Sequence, residues 1–300
     1  MKAYIVGSLN MDLVLNVDRM PQQGETMFAE SFFQNCGGKG ANQAIACARL
    51  GSEVSMIGKV GNDGYGQNMI ENLRQNRVEV SSVSISENAQ SGIAFILVNN
   101  GDNRIILEKG ANARLTKEDV NVGLEKAGKG DILVLQLEVP QDIVFHALKI
   151  AEQKRMISIL NPAPAVPLSK ELLKLVDILI LNETEAEAIT GIQDEKQWME
   201  ALRELGLSDI ILTMGGKGSI MSNHGICEHI PARQAEVVDT TAAGDTFIGG
   251  IVYALQHGFN LAAASRLATV AASITVTRRG ASQSIPTLEE VLEADRCLFL

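Results

Sequence analysis

The run Asp239-Thr-Thr-Ala-Ala-Gly-Asp245-Thr-Phe-Ile-Gly-Gly250 holds the residues best suited to chemistry. Small residues lead into a helix, and Asp245 falls in its first turn. The N–H groups of Ala243, Gly244 and Asp245 at a helix start have no partner within the helix, so they form an anion site. A carboxylate there is either a capping group favoured by the helix dipole or a general base beside bound phosphate. Gly249 and Gly250 weaken a helix, and so predict the close approach of another backbone or a ligand. A second glycine run, Gly37-Gly38-Lys39-Gly40-Ala41-Asn42, also opens a helix. It lacks the Ser or Thr that follows Gly-Lys in a Walker A loop, as does Met214-Gly215-Gly216-Lys217-Gly218-Ser219. Neither run has the G-x-G-x-x-G dinucleotide spacing, which disfavours an NAD-linked oxidoreductase. The first run suits a polyhydroxylated ligand, with Lys39 and Asn42 as donors.

These residues need elements to hold them. The runs 3–7, 54–60, 131–137, 156–160, 177–182 and 209–214 are apolar nearly throughout. A strand buried on both faces requires that, and such strands belong to parallel sheets. Between them, Ala41, Ala44, Ile45 and Ala48 share a helical face, as do Ile143, Ala147, Leu148 and Ala151. The same holds for Trp198, Ala201, Leu202 and Leu205, and for Phe247, Ile251, Ala254 and Leu255. The alternation predicts an α/β fold: three layers, α/β/α, around a mainly parallel central sheet. Residues 12–20 and 91–110 read instead as a small antiparallel sheet, with Asn100-Gly101 as a hairpin turn.

In an open α/β sheet ligands bind beyond the carboxyl ends of the strands. Asn10 and Asp12, Glu138, Asn161, Asn182 with Glu185, and Thr213 with Gly215, Gly216 and Gly218 follow successive strands. Any one of them alone could be a helix cap. Five sets at one edge point to a polar site.

Composition narrows the setting. With 26 Lys+Arg against 36 Asp+Glu, the formal charge of −10 disfavours nucleic acid and anionic membranes as partners. No apolar run has the length of a membrane span, and the opening residues do not read as a signal peptide. The four cysteines, Cys36, Cys47, Cys227 and Cys297, are scattered and form no disulfide framework. A reduced, cytoplasmic protein is expected. Cys36 reads as a small buried filler. His224, Cys227 and His229 have loose metal-like spacing, but they sit in an expected hairpin at 219–230, away from the strand-end residues, and are not read as a metal site.

The motifs Gly7-Ser-Leu-Asn10-Met-Asp12, Gly37-Gly-Lys39-Gly-Ala-Asn42-Gln, Gly61-Asn-Asp-Gly64, Asn161-Pro-Ala-Pro-Ala, Asn182-Glu-Thr-Glu185 and Asp239-Thr-Thr-Ala-Ala-Gly-Asp245-Thr-Phe resemble the ribokinase-like family of carbohydrate kinases. They occur in that family's order and spacing along nearly the whole chain. The resemblance implies a single kinase domain over 1–300, with a β lid built from about 11–35 and 90–110 that also serves a homodimer. It implies ATP-dependent phosphorylation of a primary sugar hydroxyl, with D-ribose the leading substrate. Deoxyribose, fructose, or another sugar or nucleoside is the alternative, and a non-catalytic sugar-binding protein is a different class.

By the resemblance, Asp245 is the base, and Ala242, Ala243 and Gly244 form the anion hole. Asn10, Asp12, Gly38, Lys39, Gly40, Asn42 and Glu138 hold the sugar. Asn182 and Glu185 organise Mg2+ and phosphate. Thr213, Gly215, Gly216, Lys217 and Gly218, with Gly244, lie along ATP. An activating K+ uses Asp239, Thr241, Thr275, Arg278, Gly280 and Ser284, several of them through backbone carbonyls. Thr269 stands where the family can carry a histidine near adenine, and Met11 is larger than its usual counterpart.

Overall fold

A computed structural model describes residues 1–99 and 102–295. The chain opens with β1 (Ala3–Val6), β2 (Asn10–Asn16), β3 (Ser31–Gly37), α1 (Lys39–Arg49), β4 (Val54–Gly61), α2 (Gly64–Gln75) and β5 (Glu79–Ser86). There follow β6 (Gly92–Asn99), β7 (Asp102–Glu108), a 3-10 turn at Gly110–Arg114, α3 (Lys117–Gly123), β8 (Ile132–Leu135), α4 (Gln141–Lys154) and β9 (Ile157–Leu160). Then come α5 (Lys170–Leu173), β10 (Ile178–Asn182), α6 (Glu183–Thr190), α7 (Glu195–Glu204), β11 (Asp209–Thr213) and a 3-10 turn at Gly215–Lys217. The chain continues through β12 (Ser219–Asn223), β13 (Ile226–Ile230), α8 (Ala243–Gln256), α9 (Leu261–Thr275) and α10 (Leu288–Ala294).

Nine strands form the large sheet, in the order β13-β12-β11-β10-β9-β8-β1-β4-β5. From β11 to β5 every pairing is parallel; β12 and β13 add an antiparallel edge. Alternate residues of each strand enter opposite cores. Ile5, Met56, Val134 and Ile180 pack with α1, α2, α8 and α9 on one face. Tyr4, Val6, Leu133 and Leu135 pack with α3, α4, α6 and α7 on the other. This is the expected three-layer arrangement, and each buried Leu or Ile contributes about 1.5–3 kcal/mol.

The second sheet has the order β3-β2-β6-β7. It is mixed rather than antiparallel: β2 and β6 run parallel, and only the outer pairs are antiparallel. β6 and β7 do form the expected hairpin, pairing as far as Asn99 with Asp102; Asn100 and Gly101 lie outside the described residues. Phe32, Phe33, Phe95, Ile105 and Ile106 of this sheet are exposed. Among the described residues no helix is long and apolar enough to cross a membrane.

Two glycines set the height of α8. A Cβ on Gly249 would meet the Cβ of Ala46 at 2.6 Å, and one on Gly250 would meet the Cα of Ala268 at 2.7 Å. The helix therefore wedges between α1 and α9, which brings its N-terminus beside the start of α1. The close approach expected from the glycine pair is to these two helices.

Candidate active site

Asp245 lies in the first turn of α8 and is 7% exposed. Ala242 turns the chain into that helix in a left-handed conformation, with φ of 60°. Its carbonyl accepts from the Thr246 N–H at 2.8 Å. The Ala243 N–H is not free as expected: it donates to the Thr240 carbonyl at 3.2 Å. Among the described residues the N–H groups of Gly244 and Asp245 keep no acceptor, and the space beside the Gly244 Cα is open. The candidate anion site is thus narrower than the sequence suggests: of the three expected N–H groups, those of Gly244 and Asp245 remain without an acceptor among the described residues.

Both Asp245 oxygens are held by α1. Asn42 Nδ2 donates to Oδ2 at 3.2 Å, and Gln43 Nε2 donates to Oδ1 at 3.0 Å. Gln43 Nε2 also donates to Asn161 Oδ1 at 3.3 Å, while Gln43 Oε1 accepts from Gln136 Nε2.

Glu138, just beyond β8, is the hub of a second group. Its Oε2 accepts from the Ser8 hydroxyl, from Asn10 Nδ2 at 3.3 Å and from the Lys39 N–H at 3.2 Å. Asn10 is fixed in turn by Asn112, whose Nδ2 donates to Asn10 Oδ1 at 2.8 Å. Asn112 also accepts from the Leu9 N–H and donates to the Leu9 carbonyl. Ser8, Gln43, Asn112 and Gln136 had no role in the sequence reading. The only signal was that Gln43 follows Asn42, placing consecutive amides near the start of α1. The others are near the site only through the fold.

Gly38 and Gly40 are glycines for steric reasons. Gly38 has φ of 93°, and a Cβ on it would sit 2.7 Å from the Asn10 nitrogen. A Cβ on Gly40 would sit 2.6 Å from the Ser8 nitrogen. Together they seat α1 against the turn between β1 and β2. Beside Asn10 and Glu138 opens a cavity of about 270 Å³, walled also by Leu107 of the small sheet and by Leu137.

Asp12, on β2, is 8% exposed, and no hydrogen bond to its carboxylate is formed within the described residues. Burial, then the charges of Glu138 and Asp245, push its pKa up to about 7. Burial works against the Lys39 ammonium, but Asp245, Glu138 and Glu185 outweigh it and raise its pKa. Met11 is buried next to Asp12.

Asn182 and Glu185, expected at the metal and phosphate, form a capping box on α6. The Asn182 side chain accepts from the Glu185 N–H at 2.9 Å, and the Asn182 N–H donates to Glu185 Oε2 at 2.9 Å. Asn161 Nδ2 donates to the same oxygen at 3.4 Å. Burial raises the Glu185 pKa, with Asp245 adding to it, against the Asn182 N–H and Lys39.

Thr213 ends β11, its hydroxyl donating to the Leu181 carbonyl. No atom would lie within 4 Å of a Cβ on Gly215 or Gly216, so the space beside both is open. Gly218 differs: its φ of 91° and the Ile230 carbonyl 2.1 Å from a would-be Cβ make it a structural glycine. Lys217 pairs through its ammonium with Glu183 and Glu195. Thr269 lies on α9, where its hydroxyl donates to the Ser265 carbonyl.

The expected cation residues converge only in part. Asp239 accepts from the Thr241 hydroxyl at 2.7 Å, the Thr241 N–H at 2.9 Å and the Gly280 N–H at 3.0 Å. Although burial opposes it, these donors and Arg279 lower the Asp239 pKa. The side chains of the other three turn elsewhere. Thr275 Oγ1 donates to Thr246 Oγ1, Arg278 pairs with Glu290, and the Ser284 hydroxyl donates to the Ala281 carbonyl. Any part they play falls to their carbonyls.

His224, Cys227 and His229 lie in the β12–β13 region as expected, but the hairpin is not remote: His229 Nε2 sits 2.8 Å from the Lys217 carbonyl. Among the described residues no three His, Cys, Asp or Glu side chains gather as a metal-ligand set. Cys36 is half-buried on β3, and Cys297 lies outside the described residues.

The family model described as pfkB family carbohydrate kinase matches residues 2–288. The chain is 40% identical over 298 residues to a ribokinase of Staphylococcus aureus, covering 97% of this chain and 98% of that one. It is 37% identical over 300 residues to a deoxyribokinase of Salmonella typhi, covering 98% of each. The structure of Arabidopsis thaliana ribokinase complexed with ribose and ATP matches with a TM-score of 0.90 at 32% identity, covering 98% of each chain. Likeness of this extent, in sequence and in fold alike, makes the chain a member of the pfkB family of carbohydrate kinases.

Proposed function

We propose that the chain is a ribokinase, moving the terminal phosphoryl group of ATP to the primary hydroxyl of D-ribose. The observation that carries this is the place of Asp245, a buried carboxylate next to free N–H groups at a helix start and facing the Asn10–Asp12–Glu138 group. In this reading Asp245 takes the hydroxyl proton as the oxygen attacks. The N–H groups of Gly244 and Asp245 receive the charge of the transferring group. Asn42 and Gln43 hold the carboxylate in place. Asp12 accepts from sugar hydroxyls, and its lack of a protein donor suits that task, because a buried acceptor needs one. Glu138, Asn10 and Lys39 complete the sugar cradle around Gly38 and Gly40.

The residues also fit the cofactors. The open faces of Gly215 and Gly216 suit an adenine nucleotide, with Thr213 and Lys217 beside it. The Asn182–Glu185 pair would hold Mg2+ through its waters, and the carbonyls around Asp239 would take K+. Mg2+ supplies charge neutralisation on the phosphates when bound. The whole chain serves as one catalytic domain in the cytoplasm. The small sheet closes over the sugar as a lid, and its exposed Phe and Ile residues suit pairing with a second copy.

A coupled ADP-release assay with Mg-ATP, across ribose, deoxyribose, fructose and nucleosides in potassium buffer, tests the proposal. Strong turnover on ribose is expected. Preference for deoxyribose would move the substrate assignment, and sugar binding without turnover would leave a non-catalytic protein. Asp245→Asn should lower turnover on the order of 10²–10⁴-fold, leaving a measurable remainder, while ribose still binds; unchanged turnover would remove Asp245 as the base.

A further inference from the structure

Gln43 belongs to a chain of buried amides that ends on the Asp245 carboxylate. Gln136 Nε2 donates to Gln43 Oε1 at 2.5 Å, and Gln43 Nε2 donates to Asp245 Oδ1 at 3.0 Å. The order of donors and acceptors is forced. A carboxylate accepts only, so the Gln43 amide must present its nitrogen there and its oxygen to Gln136. Rotation of the Gln43 amide by half a turn would set oxygen against oxygen at Asp245 and nitrogen against nitrogen at Gln136.

Both glutamines are fully buried. The chain is also incompletely satisfied: Gln136 Oε1 has no partner among the described residues. Room for it exists because residue 7 is glycine, where a Cβ would fall 2.0 Å from that oxygen. An apolar side chain in place of Gln136 would remove the orphaned acceptor, which carries a desolvation cost. The presence of an unsatisfied buried acceptor here points to a task other than stability.

We infer that Gln43, backed by Gln136, is a positioning residue for phosphoryl transfer. It fixes the rotation of the Asp245 carboxylate so that Oδ2, shared with Asn42, faces the substrate hydroxyl. Gln43 Nε2 also donates to Asn161 Oδ1, and Asn161 donates to Glu185. One amide thus sets the base and, through Asn161, the Glu185 carboxylate in a single frame. The inference rests on the ribokinase reading above.

Gln43→Met keeps the length and removes both polar ends. Its turnover number should fall on the order of 100-fold, the usual scale for a misplaced reacting group. Ribose affinity by calorimetry and the KM for ATP should stay within about twofold, because Gln43 holds a group that acts in the transition state. Melting temperature and circular dichroism establish that the variant is folded.

The deciding measurement is the double-mutant cycle with Asp245→Asn. If Gln43 acts through Asp245, Gln43→Met costs nothing further when Asp245→Asn is already present. A full additional loss there would overturn the inference, as would wild-type turnover in a folded Gln43→Met single variant. Gln136→Met offers a second route if Gln43→Met does not fold. It leaves Gln43 Oε1 without its donor, which loosens the amide at its far end, and should lower turnover with the same silent cycle; unchanged turnover would overturn the chain. No turnover of the wild-type protein on any sugar would instead defeat the ribokinase reading, so the two failures are distinguishable.

Discussion

Replacing Asp12 by Asn should make the protein more stable, and do so only at neutral and alkaline pH. Asp12 is a buried carboxylate without a protein donor, faced by Glu138 and Asp245, and its pKa is pushed from 3.8 up to about 7. The folded chain therefore holds a proton on Asp12 that the unfolded chain has released. Stability falls as pH rises from about 4 to about 7, and the full cost is present above that range. A shift of about three pKa units corresponds to roughly 4 kcal/mol as an upper figure, at 1.36 kcal/mol per unit. The neutral amide introduced by Asp12→Asn resembles the protonated acid and avoids that cost. At pH 8 the Asp12→Asn variant should melt higher by up to on the order of 8 °C, taking about 2 °C per kcal/mol for a chain of this size. At pH 4 the two proteins should melt together. Calorimetric scans at both pH values make the comparison. An advantage equal at both, or none at pH 8, would refute the reasoning. Ribose binding is the counterpart. Its hydroxyls favour the ionised form, so binding near pH 7 should release protons, read as a dependence of binding heat on buffer ionisation enthalpy. The variant should bind ribose about 10–100-fold less tightly, the loss of a hydrogen bond to a charged acceptor.

Other perturbations test the frame around the site. Gly249→Ala sets a methyl group against the Ala46 backbone and should cost roughly 1–3 kcal/mol in denaturant unfolding, as overpacking does; an unchanged midpoint would show that α1 and α8 have slack. Asn112→Ala leaves the Leu9 N–H and carbonyl unpaired in the core, which should cost about 2–3 kcal/mol and weaken ribose binding through Asn10; full stability would mean the Leu9 groups find other partners. Exchange of potassium for sodium should lower turnover in the coupled assay, and equal rates would remove the ion site at Asp239. Ile106→Asp on the exposed small sheet should convert a dimer to a monomer in sedimentation at micromolar concentration, and a wild-type monomer would exclude that pairing.

The parallel strands were legible because burial on both faces leaves a continuous apolar run. Gly249 and Gly250 announced close helix contact because a helix tolerates paired glycines badly. The parallel pairing of β2 with β6 was not legible. Each strand pairs well either way, and its partner is chosen by where β1 and the Gly110–Arg114 turn deliver the chain. The helix start at Ala243 was legible, but the expected anion site was drawn too widely, because the left-handed turn at Ala242 gives the Ala243 N–H to Thr240. Asn182 shows why a cap and a candidate site residue look alike: the geometry that caps α6 also holds Glu185 at the strand end. Gln43 and Asn112 owe their importance to contacts between segments far apart in sequence, which no local pattern contains.

The parallel pairing of β2 with β6 also bears on how the chain assembles. β2 pairs with β3 across a short stretch of chain, but its other edge bonds to Gly92–Val98, beyond all of α1, β4, α2 and β5. Such a non-local pairing closes late, because the intervening loop entropy must be overcome first. Until then β2 presents an unpaired edge beside the exposed Phe32 and Phe33, the kind of surface on which nascent chains stick to one another. Pulsed hydrogen exchange during refolding should therefore protect β4 and β1 before β2, and the β2–β3 pair is where a chaperone would have most to do.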